Sequence, residues 1–451
     1  MSQLSNKWIY VILTLVTLLG LQLRLQAVRY TEVDTPVRAD ARGYLLYAIN
    51  LKQFHTYSRS PDALEGKVAS PTPDAMRTPG YPLFLRMFMG DNFSDKTLYN
   101  IELAQALLST LTILLAYATF ASLLNRPLAL IVALLTAISP HLVFTNVFIL
   151  SESLSCFFLM SFLWGLSRWK TDPSSWLMVG TGLLLALTSL TRPWMQYFIL
   201  LLIPLMIFYS PVARPKREAI LLSVGFILPM LIWMGRNLIT LGILSDDSVV
   251  ISSLYQGHYA RLMYDNHPET FAYPYRFDPR AAEISASFAT VWAEILRHLK
   301  ENTLDYIGWY VIGKPLFLFS WDIFEGLGDL LIYPVLRTPY SDLSLFKVTH
   351  VIMRNLHDWL VMLAALGCIA AWLPSAWVGL AGERRFLLRS LAFLFAYFVL
   401  IHCILKPEAR YSIPMRPVIY GMAMFGLWYL GCLLRPLVST LASRFFHKIS
   451  T

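Results

Sequence analysis

Long apolar runs divide this chain and constrain its fold more than any other feature. A helix needs about 18–25 mostly apolar residues to cross the hydrocarbon core of a bilayer. Charged residues make up only 14% of the chain, against about a quarter in soluble domains. The sequence therefore predicts an all-α polytopic membrane protein. The ten predicted spans are 8–26, 98–123, 127–147, 151–168, 174–191, 194–211, 217–235, 350–374, 385–405 and 413–435.

Basic residues in the short connections predict how these spans are oriented. Lys and Arg are enriched in cytoplasmic loops, and an N-terminus placed inside puts the short basic connections on the cytoplasmic side. The long segments 27–97 and 236–349 then become outer loops. We expect a multi-pass protein of the inner (plasma) membrane, with one membrane domain at 1–435 and a basic cytoplasmic tail at 436–451.

One apolar segment does not fit this scheme as a span. A single crossing by 304–324 would move the basic connection at 383–385 to the outside, against the Lys/Arg bias. We therefore expect an amphipathic or re-entrant element on the outer surface, broken at Lys314-Pro315. A second crossing within 325–345 would also restore the parity of the spans.

Two acidic residues, Asp34 and Asp40, follow the first span and lie in the first predicted outer loop. In "DARGYLLYA", Asp40 shares one helical face with Tyr44, Tyr47 and Ala48, because the spacings are those of a helix. A carboxylate in the first turn of a helix is stabilised by the helix dipole, so a capping role alone would explain Asp40. The functional hypothesis is a general base at the membrane surface.

Two further motifs place polar side chains on the same side of the membrane. In "RTPGYPLFL" the prolines and glycine predict a turn and a short interfacial helix, with Arg77 and Tyr81 able to reach a ligand. A purely structural elbow would also explain this motif. Glu152 follows Ser151 at the start of the fourth span, where an acid usually stabilises the helix end. A second carboxylate on the side of Asp40 nevertheless suggests a shared site.

Arginines recur at the outer ends of the predicted spans, at Arg192, Arg236 and Arg410, with Lys406 close to the last of them. A single arginine at such a position usually extends to lipid headgroups. Several guanidiniums around one cavity instead form an anion site, since each binds phosphate through a rigid planar fork. The sequence therefore predicts a phosphate site.

Other ligand classes have less support. The net charge of +9 resides in short loops between spans and does not indicate nucleic acid. The nine histidines show no HxxxH or HxH spacing, which argues against metal ligation by histidines. We expect no cofactor, and nothing in the sequence supports a divalent metal ion.

Taken in order, the motifs resemble those of the bacterial glycosyltransferases of the GT-C fold, family 39, with its protein O-mannosyltransferase-like and aminoarabinose-transferase-like members. Six short matches within residues 1–435 carry the resemblance. They are "DARGYLLYA", "RTPGYPLFL", "LSESL", "LTRP", "GRNLITLG" and "EARYSIP".

The resemblance implies a GT-C bundle of transmembrane helices with interfacial helices on its outer face. It also implies the inverting transfer of one sugar from a polyprenyl-phosphate carrier, at the periplasmic face, to a lipid, glycan or protein acceptor. Asp40 matches the family's first-loop acid, but the frequent Asp-Glu pair is Asp-Ala here, so Asp34 or Glu152 would supply a second acid. The implied phosphate ligands are Arg192, Arg236, Arg410 and Lys406, and the implied substrate contacts are Tyr44, Arg77, Tyr81, Asn237 and Tyr411.

Two other functions are compatible with a chain of this composition. A transporter or flippase for a lipid or lipid-linked sugar would also be polytopic, but such proteins usually place ionisable groups near mid-membrane on broken helices in repeated halves. The centres of the predicted spans are nearly free of charge, and the sequence shows no internal repeat. A non-catalytic assembly subunit would tolerate the loss of Asp40.

Overall fold

The computed structural model describes residues 6–90, 93–169, 173–374, 380 and 382–449, and most of them are helical. The helices of the first half are α1 Asn6–Tyr30, α2 Ala39–Gln53, α3 Gly80–Arg86, α4 Asp95–Ala121, α5 Arg126–Ile138, α6 Pro140–Phe144, α7 Glu152–Ser167, α8 Ser175–Thr191, α9 Phe198–Tyr209 and α10 Pro215–Leu241.

The second half is built in the same way, with short helices followed by long ones. These are α11 Ser248–His258, α12 Ala281–Ile284, α13 Phe288–Glu301, α14 Thr303–Gly308, α15 Lys314–Leu318, α16 Pro339–Asp342, α17 Ser344–Ala370, α18 Gly382–Ile404 and α19 Arg416–Ile449. A 3₁₀ segment, Ala409–Met415, leads into α19. Two short strands, β1 Glu32–Val33 and β2 Val335–Arg337, pair antiparallel and join the two predicted outer loops.

The structure confirms a polytopic, all-helical membrane protein, although the number of crossings differs from a simple count of apolar runs. Among the described residues, six helices are long and apolar enough to span, and α5 with α6 makes a seventh if the bent pair is one span. Three shorter apolar helices, Glu152–Ser167, Ser175–Thr191 and Pro193–Tyr209, occupy the other predicted spans. A helix of 17 residues extends only about 25 Å, less than the roughly 30 Å hydrocarbon core, so ten full crossings are not established.

The third predicted span is bent by 50° between Ile138 and Pro140. Proline has no N–H to donate to the preceding turn, so carbonyls of α5 need another donor. The fully buried Arg24 of α1 provides it, donating to Ala137 O at 2.9 Å and Thr136 O at 3.1 Å. A charged side chain inside the bundle therefore completes the hydrogen bonding of a broken helix.

Replacing Arg24 by Met is expected to destabilise the bundle by about 2–4 kcal/mol, because two buried carbonyls lose their donor and each unsatisfied group costs about 1–3 kcal/mol. Thermal unfolding of the purified protein in detergent measures this as a lower Tm. Arg29→Met is the matched control, since Arg29 lies on the same helix and is exposed. Unfolding of Arg24→Met at the wild-type temperature would contradict the assignment.

Glycines allow the central helices to approach closely. A Cβ on Gly182 of α8 would lie 2.0 Å from Leu222 O, and a Cβ on Gly225 of α10 would lie 2.0 Å from Val179 O. Larger side chains at either position would therefore separate the two helices. Small residues are the usual basis of such close helix packing within membranes.

Residues 303–318 form one helix with a π turn rather than an element broken at Lys314-Pro315. The helix α14 continues through a π turn at Trp309–Gly313 directly into α15. Pro315 directly follows this π turn, and local π adjustments are one way in which a helix accommodates a residue without an N–H. Lys314 is fully buried and donates to Leu405 O at 3.0 Å. The predicted break at Lys314-Pro315 is therefore wrong.

The predicted second outer loop contains a small hydrophobic core of its own, which we call the loop lobe. Its buried members are Leu254, Tyr255, Tyr259, Ile284, Val291, Ile295 and Tyr306. The lobe contacts the main bundle near Leu405, where Gly257 lies so close that a Cβ would be 1.9 Å from the Leu405 carbonyl oxygen. At the other end of the chain, α19 continues through Ile449, and the division into a membrane domain and a tail at residue 436 stays a prediction.

Candidate active site

Five charged side chains from distant parts of the sequence meet in one continuous series, which we call the ion-pair chain. Arg77 Nη2 donates to Asp40 Oδ1 at 2.7 Å, and Arg410 Nη1 donates to Asp40 Oδ2 at 3.1 Å. Arg410 Nε also donates to Glu152 Oε1, and Arg192 Nη1 lies 3.4 Å from that oxygen. All five residues lie at or just beyond helix ends. The structure thus brings five separate sequence motifs to one end of the bundle.

Burial changes along the ion-pair chain. The Glu152 side chain is 0% exposed, whereas that of Asp40 is 33% exposed and that of Arg77 30% exposed. Arg410 and Arg192 are largely buried between them. Asp40 is therefore a carboxylate that a substrate can reach, whereas Glu152 can act only through the guanidiniums that it holds.

Several buried polar atoms around Glu152 lack hydrogen-bond partners within the described part of the chain. They include Glu152 Oε2, Arg192 Nη1 and Ser151 Oγ. Buried polar groups are almost always hydrogen-bonded, so unpaired ones gathered at one place are available to a polar ligand or to water. These atoms lie at the buried end of the ion-pair chain, next to the guanidinium that Arg410 shares between two acids.

Asp40 lies in the first turn of α2, but its carboxylate does not cap the helix. The N-cap residue of α2 is Arg38, whose side chain makes no capping hydrogen bond to the described part of the helix. Both Asp40 oxygens accept from guanidiniums instead. Ala39, immediately before it, has a φ of 43°, a left-handed conformation that is unfavourable for a residue with a side chain and tends to occur at functional sites. The backbone is therefore held in an unusual shape where it presents Asp40.

Charge and burial act in opposite directions on the Asp40 carboxylate. Burial alone would raise its pKa, but the positive charges of Arg410 and Arg77 more than offset this and hold the pKa below the ordinary value of 3.8. Asp40 is consequently ionised at neutral pH. Any ligand that draws Arg410 away would make the carboxylate more basic.

A close backbone contact explains why the "RTPG" turn and Arg192 are neighbours. A Cβ on Gly80 would lie 2.7 Å from Leu190 O and 2.8 Å from Thr191 N. Because Gly80 has no side chain, α3 can pack directly against the end of α8. This contact brings Arg77, before α3, toward Arg192, just after α8.

Aromatic rings support the arginines rather than lining an open pocket. The Arg77 guanidinium lies over the Tyr44 ring at 5.4 Å, and that of Arg192 lies over Tyr411 at 5.2 Å. Such cation–π contacts restrict where a guanidinium can point. Tyr81 is fully buried and donates to Gln105 Oε1 at 2.7 Å. Of the predicted substrate contacts, Tyr81 is therefore placed to hold α3 rather than to touch a ligand.

Lys406 lies beside the ion-pair chain with partners of its own. It is buried, forms an ion pair with Glu325, and donates to Gln256 Oε1 at 2.7 Å. Gln256 belongs to α11, so this contact links the loop lobe to the main bundle. Lys406 is close enough to Asp40 and Arg410 for their charges to influence it.

Arg236 and Asn237 are not brought into the ion-pair chain. Arg236 donates to Asp74 O at 2.8 Å and Tyr57 O at 3.0 Å, and the Asn237 amide donates to Leu244 O at 3.2 Å. Tyr57 OH in turn donates to Arg77 O at 2.9 Å. Arg236 therefore fastens the segment that carries Arg77, and among the residues that the structure describes it makes no hydrogen bond to the other predicted phosphate ligands.

Replacing Arg236 by Gln is expected to loosen residues 57–77 while donor binding changes little. Two hydrogen bonds to carbonyls are lost, at about 0.5–1.5 kcal/mol each. Hydrogen exchange of the amides in this segment should accelerate, and the affinity for a lipid phosphate should stay close to that of the wild type. Unchanged exchange together with lost phosphate binding would instead make Arg236 a direct ligand.

Asp34 is also separate from the ion-pair chain. It is exposed, its carboxylate accepts from Thr35, and its backbone N–H donates to Pro334 O at 2.9 Å beside the β1–β2 pair. Among the described residues, no hydrogen bond or ion pair joins it to Asp40 or Glu152. Its position fits a role in pairing the two loops.

Sequence reasoning missed several residues that complete the site. Tyr333 is buried within electrostatic range of Arg410, Asp40 and Glu152, but it lies in a segment without a recognisable motif. Gln105 was overlooked because it lies inside an apolar helix. Its amide donates to Asn146 O at 3.0 Å and Phe148 O at 2.9 Å, and a polar residue that interrupts an otherwise apolar span was the available signal.

A cation in the ion-pair chain would have to displace guanidiniums. The two acids of the ion-pair chain, Asp40 and Glu152, already accept hydrogen bonds from arginines. None of the five residues of the ion-pair chain is a histidine. The arrangement is therefore better suited to an anion, which would bind the arginines and leave the carboxylates free.

Comparisons with known proteins agree with this architecture. Residues 76–233, which include Arg77, Glu152 and Arg192, match the family model described as dolichyl-phosphate-mannose-protein mannosyltransferase. The fold resembles that of the oligosaccharyltransferase AglB from Archaeoglobus fulgidus in complex with an inhibitory peptide and a dolichol-phosphate, with a TM-score of 0.53 at 15% identity. The chain is a membrane protein whose fold resembles the GT-C type, and part of it is similar to a glycosyltransferase family.

The structural match is broad but covers only part of the larger relatives. It includes 98% of this GT-C chain and 52% of the AglB chain. The Archaeoglobus fulgidus oligosaccharyltransferase tethered to an acceptor peptide matches at a TM-score of 0.52 and 16% identity, over 95% of this chain and 50% of that one. This chain thus spans about half the length of the structures it matches. No curated protein matches it in sequence.

Proposed function

We propose that this GT-C protein transfers a single sugar from a polyprenyl-phosphate-linked donor to an acceptor on the outer face of the membrane. The observation that carries the proposal is the ion-pair chain, in which Arg410 is shared between an accessible carboxylate, Asp40, and a fully buried one, Glu152. Its position at helix ends suits a donor whose lipid tail stays in the bilayer.

In this proposal Arg410 and Arg192 bind the donor phosphate. Within the described part of the chain, Arg192 Nη1 has no hydrogen-bond partner and lies 3.4 Å from Glu152, so it can turn to a phosphate oxygen without breaking a hydrogen bond. As the sugar–phosphate bond breaks, negative charge develops on the leaving phosphate, and guanidiniums already in place stabilise it. Glu152 is a positioning residue that keeps both guanidiniums oriented.

Asp40 acts as the general base for the acceptor hydroxyl. While Arg410 and Arg77 hold it, its lowered pKa makes it a weak base. When the donor phosphate attracts Arg410, Asp40 keeps one cationic partner, and its pKa rises toward the ordinary value. Binding of the donor thereby prepares the base, and the proton of the acceptor passes to Asp40 as the new glycosidic bond forms.

The reaction can be tested with purified protein in nanodiscs and a panel of polyprenyl-phosphate sugars, with lipid and glycan extracts as acceptors. We expect one donor to release polyprenyl phosphate in step with a new glycosylated product. A flippase predicts movement of the lipid-linked sugar across vesicles without cleavage of the sugar–phosphate bond. That outcome would refute the transferase proposal.

The proposed outer location of the site can be tested with single cysteines. Ser341 is exposed in the predicted second outer loop, and Lys216 is exposed at the start of α10 on the predicted cytoplasmic side. With Cys432 replaced by Ser, we expect Ser341→Cys to react with an impermeant thiol reagent in intact cells or spheroplasts. Lys216→Cys should react only after lysis. The reverse pattern would contradict the orientation.

A further inference from the structure

Outside the proposed active site, the loop lobe brings together three side chains of metal-ligand type. His258 ends α11, whereas Glu294 and His298 lie one turn apart on α13. One ligand atom from each lies within 4.8 Å of those from the other two. The sequence search for paired histidines did not find this group, because it pairs a glutamate with a histidine on one helix and takes the second histidine from another.

The geometry of the three residues resembles that of a prepared metal site. Nδ1 of His258 faces the carbonyl oxygen of Tyr255, which is the backbone contact that typically fixes the ring of a metal-binding histidine and leaves Nε2 for the metal. Residues four apart share a helical face, and a Ser287–Thr290 capping box fixes the start of α13.

Two arginines now neutralise Glu294, and each has a second acid available. Arg297 donates to Glu294 Oε1 at 2.5 Å but also pairs with Glu301 at 2.5 Å. Arg280 pairs with Glu294 at 3.3 Å and with Glu283 at 3.6 Å. Both arginine side chains are more than 40% exposed, so they can move to the second acid when a cation takes their place.

We propose that His258, Glu294 and His298 bind a divalent cation of the zinc class, which fastens α11 to α13. Two imidazoles and a carboxylate are a frequent zinc ligand set, with water in the fourth position. Tetrahedral zinc with bonds of about 2.0–2.1 Å places ligand atoms about 3.3–3.4 Å apart. The ligand atoms therefore need to move by roughly 1 Å, which the partly exposed His298 permits.

The location explains what such a cation would do. The hydrophobic core of the loop lobe is small, and small cores commonly rely on a metal or another cross-link for stability. The helix α11 also carries Gln256, which accepts the hydrogen bond from Lys406 beside the ion-pair chain. A metal at this site would stabilise the lobe and hold that wall of the main site in place.

The test uses the full-length protein in nanodiscs, stripped with a chelator and then titrated with Zn²⁺ against a chromophoric competitor. We expect one Zn²⁺ per chain and a rise in Tm on binding. Co²⁺ should give the intense visible absorption of a tetrahedral site. In His298→Ala the affinity should fall at least about tenfold, and the absorption and the rise in Tm should disappear.

His267→Ala is the matched control, because His267 is an exposed histidine between α11 and α13 that pairs only with Glu269 among the described residues. It should behave as the wild type does. His258→Gln provides a second variant if His298→Ala fails to fold. Substoichiometric binding by the wild type, or wild-type affinity in a folded ligand variant, would overturn the proposal.

Discussion

Replacing Asp40 by Asn is expected to lower the rate of sugar transfer about 10²–10⁴-fold, the usual effect of losing a positioned base. This corresponds to about 3–5 kcal/mol of barrier at about 1.36 kcal/mol per tenfold. Asn preserves the size of the side chain but cannot take the acceptor proton. Donor binding should be retained or strengthened, because Arg410 loses one of its two competing carboxylates. The expected signature is therefore a fall in kcat without a rise in the KM for the donor.

Asp34→Asn is the control for this substitution, because Asp34 is an exposed acid in the same loop that lies outside the ion-pair chain. It should retain near wild-type turnover. A helix-stabilising role for Asp40 predicts a near wild-type rate in Asp40→Asn too, since Asn is as good a cap as Asp. Turnover of Asp40→Asn within a few-fold of the wild type would remove Asp40 as the base.

Replacing Arg410 by Gln is expected to abolish transfer and to weaken the fold. The substitution removes the hydrogen-bonding partner of Glu152, which is 0% exposed and is left with Arg192 at 3.4 Å. Breaking a buried ion pair by removing one partner typically costs about 3–5 kcal/mol, because the other charge is left uncompensated. Both the Tm and the donor affinity of this variant should therefore fall.

A double variant separates these two effects. Adding Glu152→Gln to Arg410→Gln removes the buried charge, so most of the lost stability should return. Phosphate binding and transfer should stay lost, because the guanidinium that binds the phosphate is still absent. Recovery of activity together with stability would show that Arg410 serves the fold alone.

Much of the bundle could be predicted from the sequence, because the length of an apolar run reflects the thickness of the bilayer directly. The orientation inferred from the Lys/Arg bias stays a prediction. The departures have local causes. Pro140 bends the third predicted span, and Arg24 supplies the donors that make the bend tolerable. The sequence predicts a break at Lys314-Pro315, whereas in the structure the helix continues through this position.

The sequence places acids and arginines at helix ends, but it does not show which of them meet, and Asp34 and Arg236 lie outside the ion-pair chain. A motif search can place Arg192, Arg236 and Arg410 at helix ends, but their partners depend on long-range packing. Gly80 brings the first loop against α8, and Arg236 is used to fasten that loop. Tyr333 and Gln256 lie near the site but belong to segments without a recognisable motif. The spacing of residues along the sequence therefore does not indicate them.

The central claim, that the ion-pair chain binds a lipid phosphate, is tested most directly by comparing polyprenyl phosphate with the corresponding polyprenol. Native mass spectrometry of the nanodisc-purified protein, titrated with each lipid, gives both affinities. We predict that the wild type binds the phosphate form at least about tenfold more tightly, since charge-assisted hydrogen bonds to guanidinium are lost with the polyprenol. In the folded Arg410→Gln, Glu152→Gln double variant this preference should disappear. Equal affinity of the wild type for both lipids, or an unchanged preference in the double variant, would contradict the account.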